Sequence, residues 1–157
     1  MPNDLPKQKR ILCIDFDGVL HSYTSGWKGP RNIPDPPVVG AMPFLAECIN
    51  HFQVCIYSSR SRYIFSRRAM KQWLQTNLET YYCESHPDLI KTALDADPFP
   101  DPPEAPWTLM AKDVVRHLKF PNRKPPAHLL IDDRAICFNG TWPLIKDIKS
   151  FKPWYKR

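Results

Sequence analysis

A chain of 157 residues, 43% hydrophobic and 24% charged, has the size and composition of one globular domain with a single core. Its 22 basic against 16 acidic residues, a net charge of +6, favour an anionic partner. No apolar stretch approaches the ~20 residues a membrane-crossing helix needs, and the opening MPNDLPKQKR lacks the apolar centre of a signal peptide, so a soluble, cytoplasmic protein with no membrane partner is expected.

In chain order, the first element is RILCIDF (10–16), an apolar run with the length and β-branched content of a buried strand. A helix should follow from about Pro43 to Phe52, with Met42, Leu45, Ile49 and Phe52 spaced 3, 4 and 3 apart and the proline in the tolerated first turn. FQVCIYS (52–58) reads as a second strand. Residues 61–78 place Ile64, Phe65, Ala69, Trp73, Leu74 and Leu78 on one side of a second helix. Arg67 and Arg68 fall elsewhere and read as a solvated face. A third helix is predicted from Thr108, taken as its N-cap, to about Leu118. AHLLIDD (127–133) is the third strand. The eighteen prolines cluster in 30–43, 98–106 and 121–126, which predicts rigid surface loops there. The five cysteines contain no C-x-x-C pair, which suits a reducing compartment, and CESH (83–86) is at most half of a zinc site.

Strands alternating with helices predict a parallel α/β sheet, in which ligands bind beyond the carboxyl ends of the strands. Each predicted strand ends in chemistry: Asp15 and Asp17, then Ser58, then Asp132 and Asp133. Asp15 and Asp17, two apart on a strand, address one space. Four carboxylates on one rim repel unless a cation offsets them, and a hard divalent ion with oxygen ligands, Mg²⁺, is the economical choice. The plain alternative is that each acidic pair caps a strand in solvent. Two such pairs at the ends of separate strands argue against it.

These residues resemble the phosphohydrolases of the haloacid dehalogenase-like superfamily. DFDGV (15–19) matches that family's first motif, YSSR (57–60) its second, and KPPAHLLIDD (124–133) its third and fourth, in the family's order. The resemblance implies a Rossmann-like parallel sheet flanked by helices, a single domain over 1–157. A flap would occupy 19–36. The proline-containing insertion at 79–123 is expected to be a partial lid or an interaction loop, and neither segment is long enough for a full cap domain.

The resemblance implies site roles as well. Asp15 would be the nucleophile, and Asp17 the general acid and base. Mg²⁺ would be held by Asp15, the Asp17 backbone carbonyl, Asp132 and Asp133. Ser58 would donate to the phosphoryl group, with Ser59 as the adjacent alternative. Lys124 would neutralise it, with Lys112 and Lys119 as competitors. Gly18 would leave room beside the phosphate. Arg60, Arg134, His21 and Trp27 stand near enough in sequence to touch substrate, Trp27 equally as a loop anchor. The expected activity is Mg²⁺-dependent phosphomonoester hydrolysis through an aspartyl-phosphate, on a nucleotide or polynucleotide phosphate. The competing reading is a non-catalytic nucleic-acid- or protein-binding module on the same fold.

Overall fold

A computed structural model describes residues 8–94, 104–137 and 139–157. Three short parallel strands, β1 (Ile11–Ile14), β2 (Gln53–Ile56) and β3 (Leu129–Ile131), form one sheet in the order β2–β1–β3. Ile11 pairs with Gln53 and Ile14 with Ile56 on one side of β1; Leu12 pairs with Leu129 and Ile14 with Ile131 on the other. The ladder outlasts the strands themselves. Asp15 N–H donates to the Ile131 carbonyl (2.9 Å) and Tyr57 N–H to that of Ile14 (3.1 Å). The residues after β1 and β2 are therefore fixed by backbone hydrogen bonds as they leave the sheet. Beyond β2, Lys119 adds a single bridge to Cys55.

Helix α1 (Ala41–His51) connects β1 to β2, and α2 (Ile64–Ser85) follows a 3₁₀ turn at Ser59–Arg62. Then come α3 (Pro87–Leu94), α4 (Pro106–His117), α5 (Ile145–Ser150) and a last 3₁₀ turn at Trp154–Lys156. Gly40 precedes α1 with φ 83°, a conformation that costs glycine little, and Pro43 sits in the first turn as predicted. Helix α4 starts earlier than expected. Ala105 is its N-cap and Pro106, whose missing N–H would be unpaired anyway, is its first residue, so Thr108 lies inside the first turn.

The core lies between the sheet and the helices. Leu12, Ile14, Val54 and Ile56 of the strands meet Leu45 of α1, the Met70, Leu74 and Leu78 stripe of α2, and Ala111 and Val114 of α4. Leu45, Leu74 and Leu78 are fully buried, each removal from water stabilising by roughly 1.5–3 kcal/mol. The arrangement is a small parallel α/β sheet flanked by helices, compatible with a Rossmann-like fold.

The 79–123 stretch differs from the expected insertion loop. Its first residues continue α2 to Ser85, and α4 packs on α2 through Ala111, Val114 and Val115. Of the predicted 98–106 loop, residues up to 103 lie outside the described residues. Among the described residues of 79–123, none lines the pocket below. No described helix is long and apolar enough to cross a membrane.

Candidate active site

The strand order dictates where a ligand can bind. The chain runs from β1 outward to β2, then returns across β1 to β3, so a crevice opens beyond the carboxyl ends at the β1–β3 boundary. A cavity of about 310 Å³ lies there. Asp15 and Asp17 from the β1 end, Ser58 and Ser59 from the β2 end, and Lys124 and Asp132 from β3 and its approach line it. Tyr23, Tyr57, Leu130 and Arg134 complete the wall.

Asp15, Asp132 and Asp133 each bring a carboxylate oxygen within 4.8 Å of the others. Acidic clusters are common, but Asp133 gives this one a second feature. Its side chain is 1% exposed and neither oxygen has a hydrogen-bond partner, the nearest cation being the Arg134 Nε, 3.5 Å from Oδ2. A carboxylate buried without hydrogen bonds and with only this long ion pair is under-satisfied, and a further cation would complete it. Burial lifts the Asp15 carboxyl up to about 7; Asp132, Asp133 and Asp17 push the same way, against a hydrogen bond from Phe16 N–H that lowers it. Three hard oxygen donors, one of them without a hydrogen bond, fit a divalent cation such as Mg²⁺. Among the described residues no other group of this kind exists, which leaves Cys83 and His86 without the zinc partners that would complete a site.

Asp17 is held differently. Its Oδ1 pairs with His21 Nδ1 (2.9 Å), and its Oδ2 accepts from Arg60 Nε (2.7 Å). Both partners are completely buried. Each carboxylate oxygen keeps a second lone pair while the orientation of the group is fixed. Its side chain does not join the acidic cluster, which leaves only its backbone carbonyl for the metal role expected of it.

His21 and Arg60 are thus corrections to the expected substrate contacts. His21 stacks on Phe16 with ring centres 5.7 Å apart and meets Trp73 edge-on at 5.6 Å; its Nε2 accepts from Asp35 N–H (3.1 Å). From below Asp17, Arg60 reaches the carbonyls of Gly29, Pro30 and Asn32, at 2.7, 3.1 and 3.3 Å. Trp27 covers the Arg60 guanidinium, 4.6 Å from ring centre to Cζ, and is absent from the pocket wall. It anchors its loop and does not meet the ligand space. The segment 19–36 is consequently a tied loop: Ser22 N–H donates to the Pro36 carbonyl, Val38 N–H to that of Leu20, and Ser25 to Asp35. Only Tyr23 of this segment faces the cavity.

Ser58 caps the 3₁₀ turn. Its Oγ accepts from Arg60 N–H (3.3 Å), while Ser61 Oγ accepts from Ser58 N–H (3.0 Å). The Ser58 hydroxyl proton meets no acceptor among the described residues and is available to the pocket. Ser59 is exposed on the same wall. Of the three candidate lysines, Lys124 lines the cavity; Lys112 pairs with Glu104, and Lys119 bridges the outer edge of β2.

Gly18 has φ 86°, and a Cβ there would stand 2.7 Å from Asp133 Oδ2 and 2.8 Å from Tyr155 Cε1. The room this glycine leaves is therefore filled by protein, not by phosphate. Trp154 Nε1 closes the contact by donating to the Gly18 carbonyl (2.7 Å). Trp154 and Tyr155 carried no signal in the sequence: they lie 136 and 137 residues from Gly18 and belong to no motif. No family model, curated protein or solved structure matches the chain.

Proposed function

We propose that the protein is a Mg²⁺-dependent phosphomonoester hydrolase of the haloacid dehalogenase-like type, without a full cap domain, acting on a nucleotide or polynucleotide phosphate. The observation that carries this reading is the meeting of Asp15 and Asp132 in one pocket with Ser58 and Lys124, with a carboxylate oxygen of buried Asp133 within 4.8 Å of theirs. A binding module has no need to crowd three carboxylates beside a lysine and an oriented fourth carboxylate.

Asp15 Oδ1 is occupied by the Phe16 N–H (2.7 Å), leaving Oδ2 as the attacking oxygen. That oxygen bonds to phosphorus as the ester P–O bond breaks, and the departing oxygen takes the proton carried by Asp17. Water then attacks the aspartyl-phosphate; Asp17 takes its proton, and the bond between Asp15 and phosphorus breaks to release phosphate. Ser58 O–H donates to a phosphoryl oxygen and Lys124 balances its charge. Mg²⁺, held by Asp15, Asp132, Asp133 and the Asp17 carbonyl, would supply screening between the nucleophile and the phosphate. His21 and Arg60 keep the Asp17 carboxylate aimed. The net charge of +6 supports a polyanionic substrate. The five free thiols support a reducing, cytoplasmic setting.

Hydrolysis of p-nitrophenyl phosphate with Mg²⁺ and with EDTA is the direct test. Turnover should require the ion and fall on the order of 10³-fold or more in Asp15→Asn. Equal rates in the two proteins would remove the proposal. A panel of nucleotides and of 3′- and 5′-phosphorylated oligonucleotides tests the substrate class, and indifference to nucleic phosphates would end that part.

A further inference from the structure

Arg134 follows directly on Asp132 and Asp133 and lines the cavity beside Tyr23. Three contacts fix its guanidinium. Nη2 donates to Tyr155 Oη (2.7 Å), Nε stands 3.5 Å from Asp133 Oδ2, and Cζ lies 6.0 Å from the centre of the Tyr23 ring. Its own backbone N–H is tied to Asp132 Oδ1 (2.8 Å).

The bracing groups are themselves braced. Tyr155 is in the turn that Trp154 clamps to the Gly18 carbonyl, and its ring meets Tyr23 edge-on with centres 5.9 Å apart. Tyr23 holds φ 58°, a costly conformation for a bulky residue that persists only where its surroundings insist on it. The Arg134 side chain nevertheless remains 57% exposed, and its Nη1 donors meet no acceptor among the described residues. A long side chain immobilised in this way yet left open is preorganised for a ligand, because the entropy of ordering it is lost before binding.

Its chemistry names the ligand. In the reaction proposed above, Ser58, Lys124 and the cation already attend the transferred phosphoryl group. Arg134 is additional to them, at the wall. A rigid guanidinium fork matches phosphate oxygens in a bidentate way that a simple alcohol leaving group cannot use.

We infer that Arg134, braced by Tyr23 and the Trp154–Tyr155 turn, reads a second phosphate on the substrate, so that the protein selects phosphomonoesters carrying a neighbouring phosphate, as in a nucleoside bisphosphate or a phosphorylated polynucleotide end. This rests on the phosphatase reading for the identity of the first phosphate. Arg134 contacts substrate; Tyr155 and Trp154 are positioning residues.

Calorimetric titration of the Asp15→Asn protein with Mg²⁺ measures binding without turnover. The ligands are adenosine 3′-monophosphate, adenosine 3′,5′-bisphosphate and a 3′-phosphorylated dinucleotide. At least one of the latter two should bind about tenfold or more tightly than the monophosphate. Preference for the bisphosphate alone would assign free nucleotides, and preference for the dinucleotide alone polynucleotide ends. Added Arg134→Ala should bring the preference to near unity. Tyr155→Phe, which keeps the ring and removes only the hydroxyl, should reduce it severalfold, and Arg134→Lys should restore less than half. Equal binding of all three ligands, or a preference that survives Arg134→Ala, overturns the inference. Absence of turnover on every phosphomonoester overturns the proposed reaction instead, since these binding ratios do not depend on it.

Discussion

Asp15 should make the metal-free protein lose stability as pH rises. Its carboxyl is lifted from 3.8 to about 7 by burial first and by Asp132, Asp133 and Asp17 after it. A folded-state value above the unfolded one favours the fold below about pH 4, and that contribution is lost as pH climbs through about 7. Three units at 1.36 kcal/mol each amount to on the order of 4 kcal/mol, of which roughly half falls between about pH 5.5 and 8. In a domain of this size about 2 kcal/mol moves the melting point by roughly 4–8 °C. Scanning calorimetry in EDTA at the two pH values measures it, with Asp15→Asn as the reference that cannot ionise. Wild type should fall by several degrees more than the variant, the variant should be the more stable protein at the higher pH, and Mg²⁺ should restore wild type. Parallel melting curves for the two proteins across this range, or a wild-type melting point indifferent to Mg²⁺, would refute the electrostatic account of the cluster.

Three further outcomes follow from particular contacts. Gly18→Ala combines a φ of 86° with a Cβ 2.7 Å from Asp133 Oδ2; it should cost about 1–3 kcal/mol in urea unfolding and weaken Mg²⁺ binding by calorimetry, and unchanged Mg²⁺ affinity would contradict the placement of Asp133. Arg60→Met leaves the Asp17 carboxylate buried without its cation and should destabilise by about 3–5 kcal/mol. Limited proteolysis of that variant should cut within 24–34, where wild type resists. Lys124→Ala should reduce kcat/KM for p-nitrophenyl phosphate by about 10²-fold or more, whereas Lys112→Ala, paired with Glu104, should stay within about twofold of wild type.

The strands were legible because a strand covered on both faces must be apolar through its buried length, as the ILCI of β1 and the VCI of β2 are. Their ends were read one or two residues too long, since the flanking residues extend the ladder without belonging to paired strands. The helix was read as ending at residue 78, although Met70, Leu74, Leu78 and Tyr82 step by four through that boundary and carry α2 onward to Ser85. Asp15, Ser58 and Asp132 could be placed at the cavity because each lies within two residues of a strand end. Lys124, separated from β3 by residues 125–128, was singled out through the motif resemblance. Sequence proximity gave no direction for the side chains of His21 and Arg60, which turn inward beneath Asp17. Trp154 and Tyr155 were invisible, because nothing local brings a residue back across the length of a chain.

Arg60 grips the 29–32 segment by main-chain oxygens, and those are the same whatever side chains the segment carries. Gly29, with φ 102°, is constrained by its backbone, but exposed Arg31 and Asn32 are not held by this anchor through their side chains. The loop can therefore change its outward chemistry by substitution while its shape, and the orientation of Asp17 beneath it, stay as they are. Such an attachment separates two properties that neighbouring residues usually tie together: the outward chemistry of a loop, and the orientation of the carboxylate it covers.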